Sequence, residues 1–280
     1  MNRIDRCFEN LRAARKRGFV AYICAGDPNL ERTRDIVLAL ERCGVDLVEL
    51  GLPFSDPLAD GIVNQLAAQR GLESCTTPPK VLATITEIRT ESQIPIVLYI
   101  YFNLLHRVGV ERFIRDAAAA GVDGLLVLDL PPEESETYES LMASAGLSPV
   151  YLIAPTTPDA RIALIAPRAR GFIYYVSREG VTGMQSQVSD TIAMMTDKIR
   201  AHSPLPIAVG FGISTAEPVS MVVRHADAAI VGSAFSLRRI LKIDPASAIG
   251  STNSSEKSTS CRKKKVLGWQ VAKSAAEQKL

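Results

Sequence analysis

The sequence predicts an α/β protein, specifically a (β/α)8 TIM barrel with an extra N-terminal helix. Eight short runs rich in Val, Ile, Leu and Tyr alternate with helical patterns along the chain. Most of these runs are continuously hydrophobic, as expected for parallel strands that are buried on both faces. The chain has 280 residues, and α/β barrels commonly form one domain of about 200–250 residues. Together these observations favour a single barrel.

The predicted strands and helices follow one another in regular order. The strands are predicted at 19–24, 46–50, 94–100, 124–130, 149–153, 172–176, 206–210 and 228–232. The helices are predicted at 2–16, 30–43, 62–90 with a break near Thr77–Pro79, 109–120, 133–145, 158–167, 188–201, 215–225 and 233–242. The alternative is an open doubly wound sheet, which carries a glycine-rich dinucleotide turn after its first strand. Here that turn reads AGDPN, without the G-x-G-x-x-G spacing, so the barrel is favoured.

The barrel is predicted to span 1–245, and 246–280 is predicted to be an atypical, flexible C-terminal tail. Residues 251–260 include seven Ser or Thr, a composition that buries too little apolar surface to fold. The net charge of the chain is +2, but residues 251–280 hold seven basic and two acidic residues. The remaining body has 25 basic and 28 acidic residues, which does not favour nucleic-acid binding.

The hydropathy and the cysteines predict a cytoplasmic protein. No apolar run approaches the roughly 20 residues that span a bilayer, and the N-terminus lacks the apolar core of a signal peptide. The five cysteines form no C-x-x-C pair, and their odd number favours a reducing compartment.

The stretch VELGLPFSDPLADGIV, residues 48–63, combines a buried strand with acidic residues. The carboxyl ends of barrel strands face the active site, and Glu49 lies at such an end while the next loop returns Asp56 and Asp60 to it. Burial would raise the pKa of Glu49, whereas Asp60, on a more solvated loop, would stay ionised; such a pair supplies an acid and a base. The structural alternative is an ion pair of Glu49 across the barrel and a helix cap by Asp60.

Glycine-rich loops follow the last three predicted strands and read REGVTG (178–183), GFGIS (210–214) and VGSAF (231–235). Glycine lets backbone N–H groups approach an anion, and helix N-termini attract phosphate. Barrels frequently bind phosphate at the loops after strands seven and eight. The loops therefore predict a phosphate site, although tight turns alone also need glycine.

Other polar residues give weaker signals. Asp129, in LDLPPEE, is either catalytic or orders the adjacent loop. His106, His202 and His225 lack the spacing of metal ligands, and no metal site is predicted.

The motifs together resemble those of the tryptophan synthase alpha chain family. The resemblance covers about residues 1–245 and rests on AGDPN, VELGLPFSDPLADG, DLPPEE, SREGVTG and GFGIS, of which the second is long and distinctive. It implies a (β/α)8 lyase that cleaves indole-3-glycerol phosphate into indole and glyceraldehyde 3-phosphate in L-tryptophan biosynthesis. It also implies that the chain has no cofactor of its own. The partner would be a pyridoxal-phosphate-dependent beta chain in an alpha2-beta2 assembly.

The resemblance also implies roles for individual residues. Glu49 matches the general acid and base, and Asp60 matches the group that stabilises positive charge on the indole nitrogen. Pro53, Asp56 and Asn103 lie where the family meets its beta chain. The matching substrate-binding positions, which include the phosphate loops, are Tyr22, Tyr101, Tyr174, Thr182, Gly183, Phe211, Gly212, Gly232 and Ser233.

Several residues depart from the family pattern, mostly around the indole pocket. Ile62 replaces a usual proline, Asn64 a usual apolar residue, Tyr22 a usual phenylalanine and Cys24 a usual threonine. These departures leave open a barrel that still binds phosphate and activates a beta chain without cleaving substrate. The enzyme is favoured because both carboxylates remain. Another phosphate-sugar barrel, such as an isomerase, would not need PFSDPLADG.

Overall fold

The eight strands close into a barrel in which every neighbouring pair is parallel, in the order β1-β2-β3-β4-β5-β6-β7-β8. The computed structural model describes residues 1–177, 185–210 and 222–232, with the backbone alone for 185–189. The barrel closes where β8 pairs with β1, which places Val20 beside Ile230. The predicted (β/α)8 fold is confirmed.

The elements follow the predicted order with small shifts of their ends, except that one helix, over Phe102–Val108, is not predicted. The strands are β1 (Gly18–Cys24), β2 (Leu47–Gly51), β3 (Ile96–Ile100), β4 (Gly124–Val127), β5 (Ser148–Ile153), β6 (Ile173–Val176), β7 (Ile207–Gly210) and β8 (Ala228–Val231). The helices are α1 (Arg3–Ala13), α2 (Leu30–Arg42), α3 (Ile62–Glu73), α4 (Pro78–Arg89), α5 (Phe102–Val108), α6 (Val110–Ala120), α7 (Glu136–Ser144), α8 (Asp159–Ile165) and α9 (Gln185–Arg200).

Three element ends differ from the prediction for local physical reasons. β4 ends at Val127 rather than at 130, because the chain turns at Leu128 and Asp129. Helix α7 begins at 136 rather than at 133, since Pro132–Glu134 form a 3-10 turn. Helix α1 ends at Ala13 rather than at 16, because Arg15 adopts a left-handed φ of 54°.

Alternate residues of the strands pack into two separate cores. Residues such as Ile23, Leu50 and Leu98 join the helices in the larger core, between the sheet and the outer ring. Residues such as Leu47 and Val97 form a second cluster inside the barrel. Burial on both faces explains why the strands are hydrophobic without alternation.

Helix α1 closes the amino-terminal end of the barrel. Its buried side chains Ile4, Phe8 and Leu11 belong to the interior cluster, and the Phe8 and Phe172 rings lie 5.7 Å apart. Asn2 caps the helix through its side chain and also donates from Nδ2 to Ser148 Oγ at 2.7 Å. Because α1 fills the amino-terminal end of the barrel, the carboxyl-terminal end of the barrel remains available for a functional site.

Carboxylates at the amino-terminal ends of three strands bind the backbone of the preceding strand. Each accepts a hydrogen bond from a strand N–H, which fixes the register at that end of the barrel. The pairs are Asp46 with Phe19 at 2.8 Å, Asp123 with Ile96 at 2.9 Å, and Asp227 with Ile207 at 3.0 Å.

Parts of the predicted organisation lie outside the described residues. The helix predicted at 233–242 and the tail at 246–280 fall there, as does most of the helix predicted at 215–225. In the described ranges no helix is long and apolar enough to cross a membrane.

Truncating the aromatic contact of α1 should destabilise the barrel. The substitution Phe8→Ala removes a nearly buried ring from the interior cluster, and we expect the free energy of unfolding to fall by about 3–5 kcal/mol. Urea denaturation measures this difference. Glu9→Ala, on the exposed side of the same helix, should change it by less than about 0.5 kcal/mol. Equal effects of the two substitutions would contradict the packing of α1 against the barrel.

Candidate active site

Glu49 is a carboxyl group buried at the carboxyl end of the barrel. It lies on β2 opposite Tyr22 of β1, is 1% exposed, and has no hydrogen-bond partner on either oxygen among the described residues. Burial disfavours the charged form and, together with the nearby Asp60, raises the pKa of Glu49 to about 8. The ion pair across the barrel, which was the structural alternative, is absent from the described ranges.

Asp60 reaches the same place from the loop that follows β2. Its Oδ1 accepts a hydrogen bond from the Tyr99 hydroxyl at 2.9 Å, and its Oδ2 accepts one from Tyr101 at 2.8 Å. Asp60 does not cap α3, because Gly61 is the N-cap residue and no side chain caps that helix. The helix-cap alternative therefore does not hold.

The loop after β2 packs on Tyr101. The Ala59 N–H donates to the Tyr101 hydroxyl at 3.0 Å, and the Phe54 and Tyr101 rings stack with centroids 5.0 Å apart. Tyr101 follows β3 directly and is 4% exposed, so the barrel wall fixes its position. The contacts between Tyr101 and the loop hold Asp60 at the barrel mouth.

The environment of Asp60 contains opposing influences on its charge. Burial raises the pKa of Asp60, while hydrogen bonds from Tyr101, Tyr99 and Asn64 lower it. Asp60 is therefore less solvated than the sequence predicts. The pKa of Asp60 is raised overall, but the phenol donors limit that rise and favour its ionised form, whereas Glu49 has no donors among the described residues.

Two further tyrosines line the barrel mouth beside Glu49. Burial raises the pKa of Tyr22 and of Tyr174 well above the usual value, with added repulsion from Glu49 and Asp60. Both phenols are therefore neutral. A Cβ atom at Gly51 would collide with Tyr22, and one at Gly210 would collide with Tyr174. Glycine at these two positions makes room for the rings.

Helix α3 begins two residues after Asp60, at Ile62, and is anchored to the loop that follows β1. Arg70 donates two hydrogen bonds to Asp27, from Nε and from an Nη, each at 2.7 Å. Such a bidentate pair fixes both distance and orientation. It positions the helix that carries Asn64, whose Oδ1 is buried without a partner among the described residues.

The geometry suits proton transfer next to a developing positive charge. A carboxyl group with a pKa of about 8 is mostly protonated at neutral pH, so Glu49 can donate a proton and take one back. Asp60, held by phenol donors, can stabilise a cation close to that proton. The described residues contain no group of three or more His, Cys, Asp or Glu side chains that could hold a metal ion.

Comparison with known proteins identifies the family. The family model for the tryptophan synthase alpha chain matches residues 8–266. The chain belongs to the tryptophan synthase alpha chain family. The alpha chain of Opitutus terrae is 51% identical over 84% of this chain and 88% of its own length. The alpha chain of Geotalea daltonii is 47% identical over 84% and 89%.

A solved structure of the family has a similar fold. Tryptophan synthase subunit alpha from Legionella pneumophila str. Paris superposes with a TM-score of 0.84 at 34% identity, covering 99% of each chain. These findings confirm the predicted family, its TIM barrel and its lyase activity in tryptophan biosynthesis.

The barrel brings several of the predicted site residues together. Glu49, Asp60, Tyr22, Tyr101 and Tyr174 share the mouth, as their contacts and electrostatic interactions show. Gly232 follows β8 close to the ring of Tyr22. The remaining predicted positions lie outside the described residues, namely Thr182, Gly183, Phe211, Gly212 and Ser233.

Tyr99 belongs to the site although the sequence analysis does not single it out. It lies two residues before Tyr101, and positions two apart on a strand face the same side. The two-residue spacing could therefore have indicated that Tyr99 lies on the same side as Tyr101. Asp129, by contrast, accepts a hydrogen bond from the Phe102 N–H at 2.6 Å at the start of α5. That contact fits the loop-ordering role.

Replacing Glu49 should reveal its raised pKa as a pH-dependent stability. Between the ordinary value of 4.5 and about 8, the folded chain keeps a proton that the unfolded chain has lost, so the free energy of unfolding falls as pH rises. The Glu49→Gln side chain does not titrate, so this variant does not show that fall in the free energy of unfolding. Its stability relative to the unsubstituted chain should therefore rise by about 1.4 kcal/mol per pH unit from about pH 5 to about pH 8, then level off.

Urea denaturation across this pH range measures the difference. Glu9→Gln alters an exposed carboxylate and serves as the matched control, for which we expect a constant difference over the same range. A constant difference for Glu49→Gln as well would show that Glu49 titrates normally.

Proposed function

We propose that Glu49 and Asp60 are the catalytic pair with which this chain cleaves indole-3-glycerol phosphate into indole and glyceraldehyde 3-phosphate. The observation that carries the proposal is the contrast between two neighbouring carboxyl groups. Glu49 has no donors and a pKa of about 8, whereas hydrogen bonds from two phenols support the charge of Asp60. Environments that differ in this way assign the acid and the charge stabiliser.

In the first step Glu49 protonates the indole ring carbon that bears the glycerol chain. The electron pair for the new C–H bond comes from the ring, so positive charge develops on the ring nitrogen. The carboxylate of Asp60 accepts the nitrogen N–H and stabilises that charge. Tyr99 and Tyr101 act as positioning residues, because they hold the carboxylate in place.

In the second step the bond between this ring carbon and the glycerol chain breaks. The Glu49 carboxylate removes the proton of the adjacent glycerol hydroxyl, and the C–O bond becomes the aldehyde C=O. The electron pair of the broken C–C bond restores the aromatic ring and neutralises the nitrogen. The proton returns to Glu49, so the carboxyl group ends the cycle as it began.

The residues around this pair suit the two ends of the substrate. Tyr22, Tyr101 and Tyr174 provide flat aromatic surfaces for the ring, and Gly232 leaves space beside Tyr22. For the phosphate we propose the loops after β6, β7 and β8. The phosphate positions in those loops are Gly183, Gly212, Gly232 and Ser233, and their role rests on the family motifs and on the affinity of glycine-rich turns for anions. By the same family motifs, Thr182 belongs to the loop that closes over substrate, and Phe211 is a further substrate-binding position.

The family works in a complex with a tryptophan synthase beta chain, and we propose an alpha2-beta2 assembly for this chain. Asp56 lies on the loop after β2 and Asn103 in the first turn of α5, and both are exposed. The same loop carries Pro53, which is buried, and Leu58, which is 84% exposed, so that these residues form a rim beside the site. We assign this rim to the beta chain. The cofactor of the assembly, pyridoxal phosphate, would belong to the beta chain, and the alpha chain would use none. We place the assembly in the cytoplasm.

Replacing either catalytic carboxyl group should abolish indole release. In assays with indole-3-glycerol phosphate and a beta chain, Glu49→Gln and Asp60→Asn should each lower kcat by at least about a hundredfold. Glu87→Gln changes an exposed carboxylate on the outer face of α4 and should leave kcat unchanged. Full activity in either site variant would contradict the assigned roles.

The same assay tests the alternative function. Stimulation of a beta chain by an unsubstituted alpha chain that releases no indole would support a barrel that has lost cleavage. Neither the described residues nor the comparisons favour that alternative.

The hydrogen bond from Tyr99 should appear in the pH profile of the reaction. Its loss in Tyr99→Phe removes an influence that lowers the pKa of Asp60, so the acid limb of kcat/KM should move to higher pH. The alkaline limb, set by Glu49, should stay near pH 8. The control is Tyr138→Phe, which removes the hydroxyl of a buried tyrosine on α7, away from the site. We expect its acid limb to stay in place. The substrate phosphate titrates alike in all variants, so it does not affect the comparison. An unmoved acid limb would contradict the role of Tyr99.

A further inference from the structure

The fully buried residues of helix α3 are all small. They are Ala67, Ala68 and Gly71, whereas the larger side chains of Ile62 and Leu66 are exposed. Small side chains remove little apolar surface from water, so this helix gains little from hydrophobic burial. Among the described residues no side chain caps its first turn either. Polar contacts must therefore contribute much of what fixes the position of α3.

These polar contacts join the carboxyl-terminal half of α3 to the loop after β1, which carries the AGDPN motif. Arg70 donates its two hydrogen bonds to the nearly buried carboxylate of Asp27. Ser74, at the end of the helix, donates from Oγ to the main-chain oxygen of Gly26 at 2.9 Å. A bidentate pair fixes an angle as well as a distance, so the helix has one orientation on this loop.

The loop after β1 is itself fixed to the barrel. The Ala25 N–H donates to the main-chain oxygen of Gly51, at the end of β2, at 2.8 Å. The Gly26 N–H donates to Thr33 Oγ1 on α2 at 2.9 Å. Helix α3 approaches this loop so closely that a Cβ atom at Gly71 would lie 2.7 Å from the Ala25 oxygen. The loop therefore gives α3 a rigid support.

The amino-terminal half of α3 holds the main chain of Asp60. Gln65 donates from Nε2 to the main-chain oxygen of Asp60 at 2.9 Å. The carboxylate of Asp60 meanwhile accepts its hydrogen bonds from Tyr99 and Tyr101, which belong to the barrel wall. A shift of α3 would therefore move Asp60 relative to both phenols.

We propose that Arg70 is a positioning residue for Asp60. Its bidentate bond to Asp27 fixes α3 on the loop after β1, and α3 transmits that position to Asp60 through Gln65. The inference rests on the proposed function, in which Asp60 stabilises positive charge on the ring nitrogen. A misplacement of about 1 Å in such a group can cost about a hundredfold in rate.

Steady-state kinetics with a beta chain in excess test the inference. In Arg70→Gln we expect kcat to fall about tenfold, while KM for indole-3-glycerol phosphate changes by less than about twofold. The reason for this split is that the charge on the ring nitrogen is absent from the bound substrate. Gln65→Ala should give the same split. The double variant should lose no more than about the larger single loss, because both residues act through one link.

Arg3→Gln is the matched control. The side chains of Arg3 and Arg70 are both 33% exposed, and each binds a nearly buried aspartate, Asp123 or Asp27. Arg3 lies on α1 at the opposite end of the barrel, so its loss should leave kcat unchanged. Arg70→Lys keeps the charge but cannot form a bidentate bond. Its kcat should also fall, and it supplies the comparison if the glutamine variant does not fold.

Carbon-13 NMR of labelled tyrosine measures the position of Asp60 without turnover. The Cζ resonances of Tyr99 and Tyr101, assigned with the Tyr99→Phe and Tyr101→Phe variants, report the hydrogen bonds of the two phenols. In Arg70→Gln both resonances should move toward their positions in Asp60→Asn. In Arg3→Gln they should stay in place.

The two measurements separate the inference from the proposed function. If the unsubstituted chain releases no indole, the proposed function fails, and the tyrosine resonances alone decide whether Arg70 holds Asp60 in place. Resonances that do not move in Arg70→Gln would overturn the inference whatever the activity. An unchanged kcat in Arg70→Gln or in Gln65→Ala would overturn it as well, and would leave the catalytic pair intact.

Discussion

The burial of the Glu49 carboxyl group without a hydrogen-bond partner is the constraint on which the site depends. A lone charge at that place would be strongly destabilising, so the group holds its proton at neutral pH. The nearby Asp60 strengthens the effect, since two adjacent negative charges repel. A second carboxylate can remain ionised here only if it has donors, and Tyr99 and Tyr101 supply them. The two carboxyl groups thus differ in one respect, the presence of hydrogen-bond donors, and this difference makes Glu49 the acid and Asp60 the charge stabiliser.

The barrel supports this difference through parts of the chain that are far apart in sequence. Strand β3 and the residue after it provide the two phenols, while β2 and its loop provide the two carboxyl groups. Glycine at positions 51 and 210 admits the rings of Tyr22 and Tyr174. At the opposite end, the apolar side chains of α1 fill the barrel interior.

The sequence predicts the fold well because hydrophobic strands that are buried on both faces leave an unambiguous pattern. It also identifies Glu49, since an acid within such a run is conspicuous. It does not predict the environment of Asp60, which depends on the loop folding back onto Tyr101 from another strand. Tyr99 escapes notice because tyrosine in a hydrophobic run is indistinguishable from core. Helix α5 is not predicted because its seven residues begin directly after β3 and Tyr101, without a loop that would mark the start of a new element.

Direct titration of Glu49 tests the central claim. Carbon-13 NMR of the side-chain carboxyl carbons of labelled glutamate, assigned by comparison with Glu49→Gln, reports the pKa of this group alone. The account predicts a pKa near 8 in the unsubstituted chain and a lower pKa in Asp60→Asn, where the neighbouring charge is removed. A pKa near the ordinary 4.5, unchanged by Asp60→Asn, would contradict it.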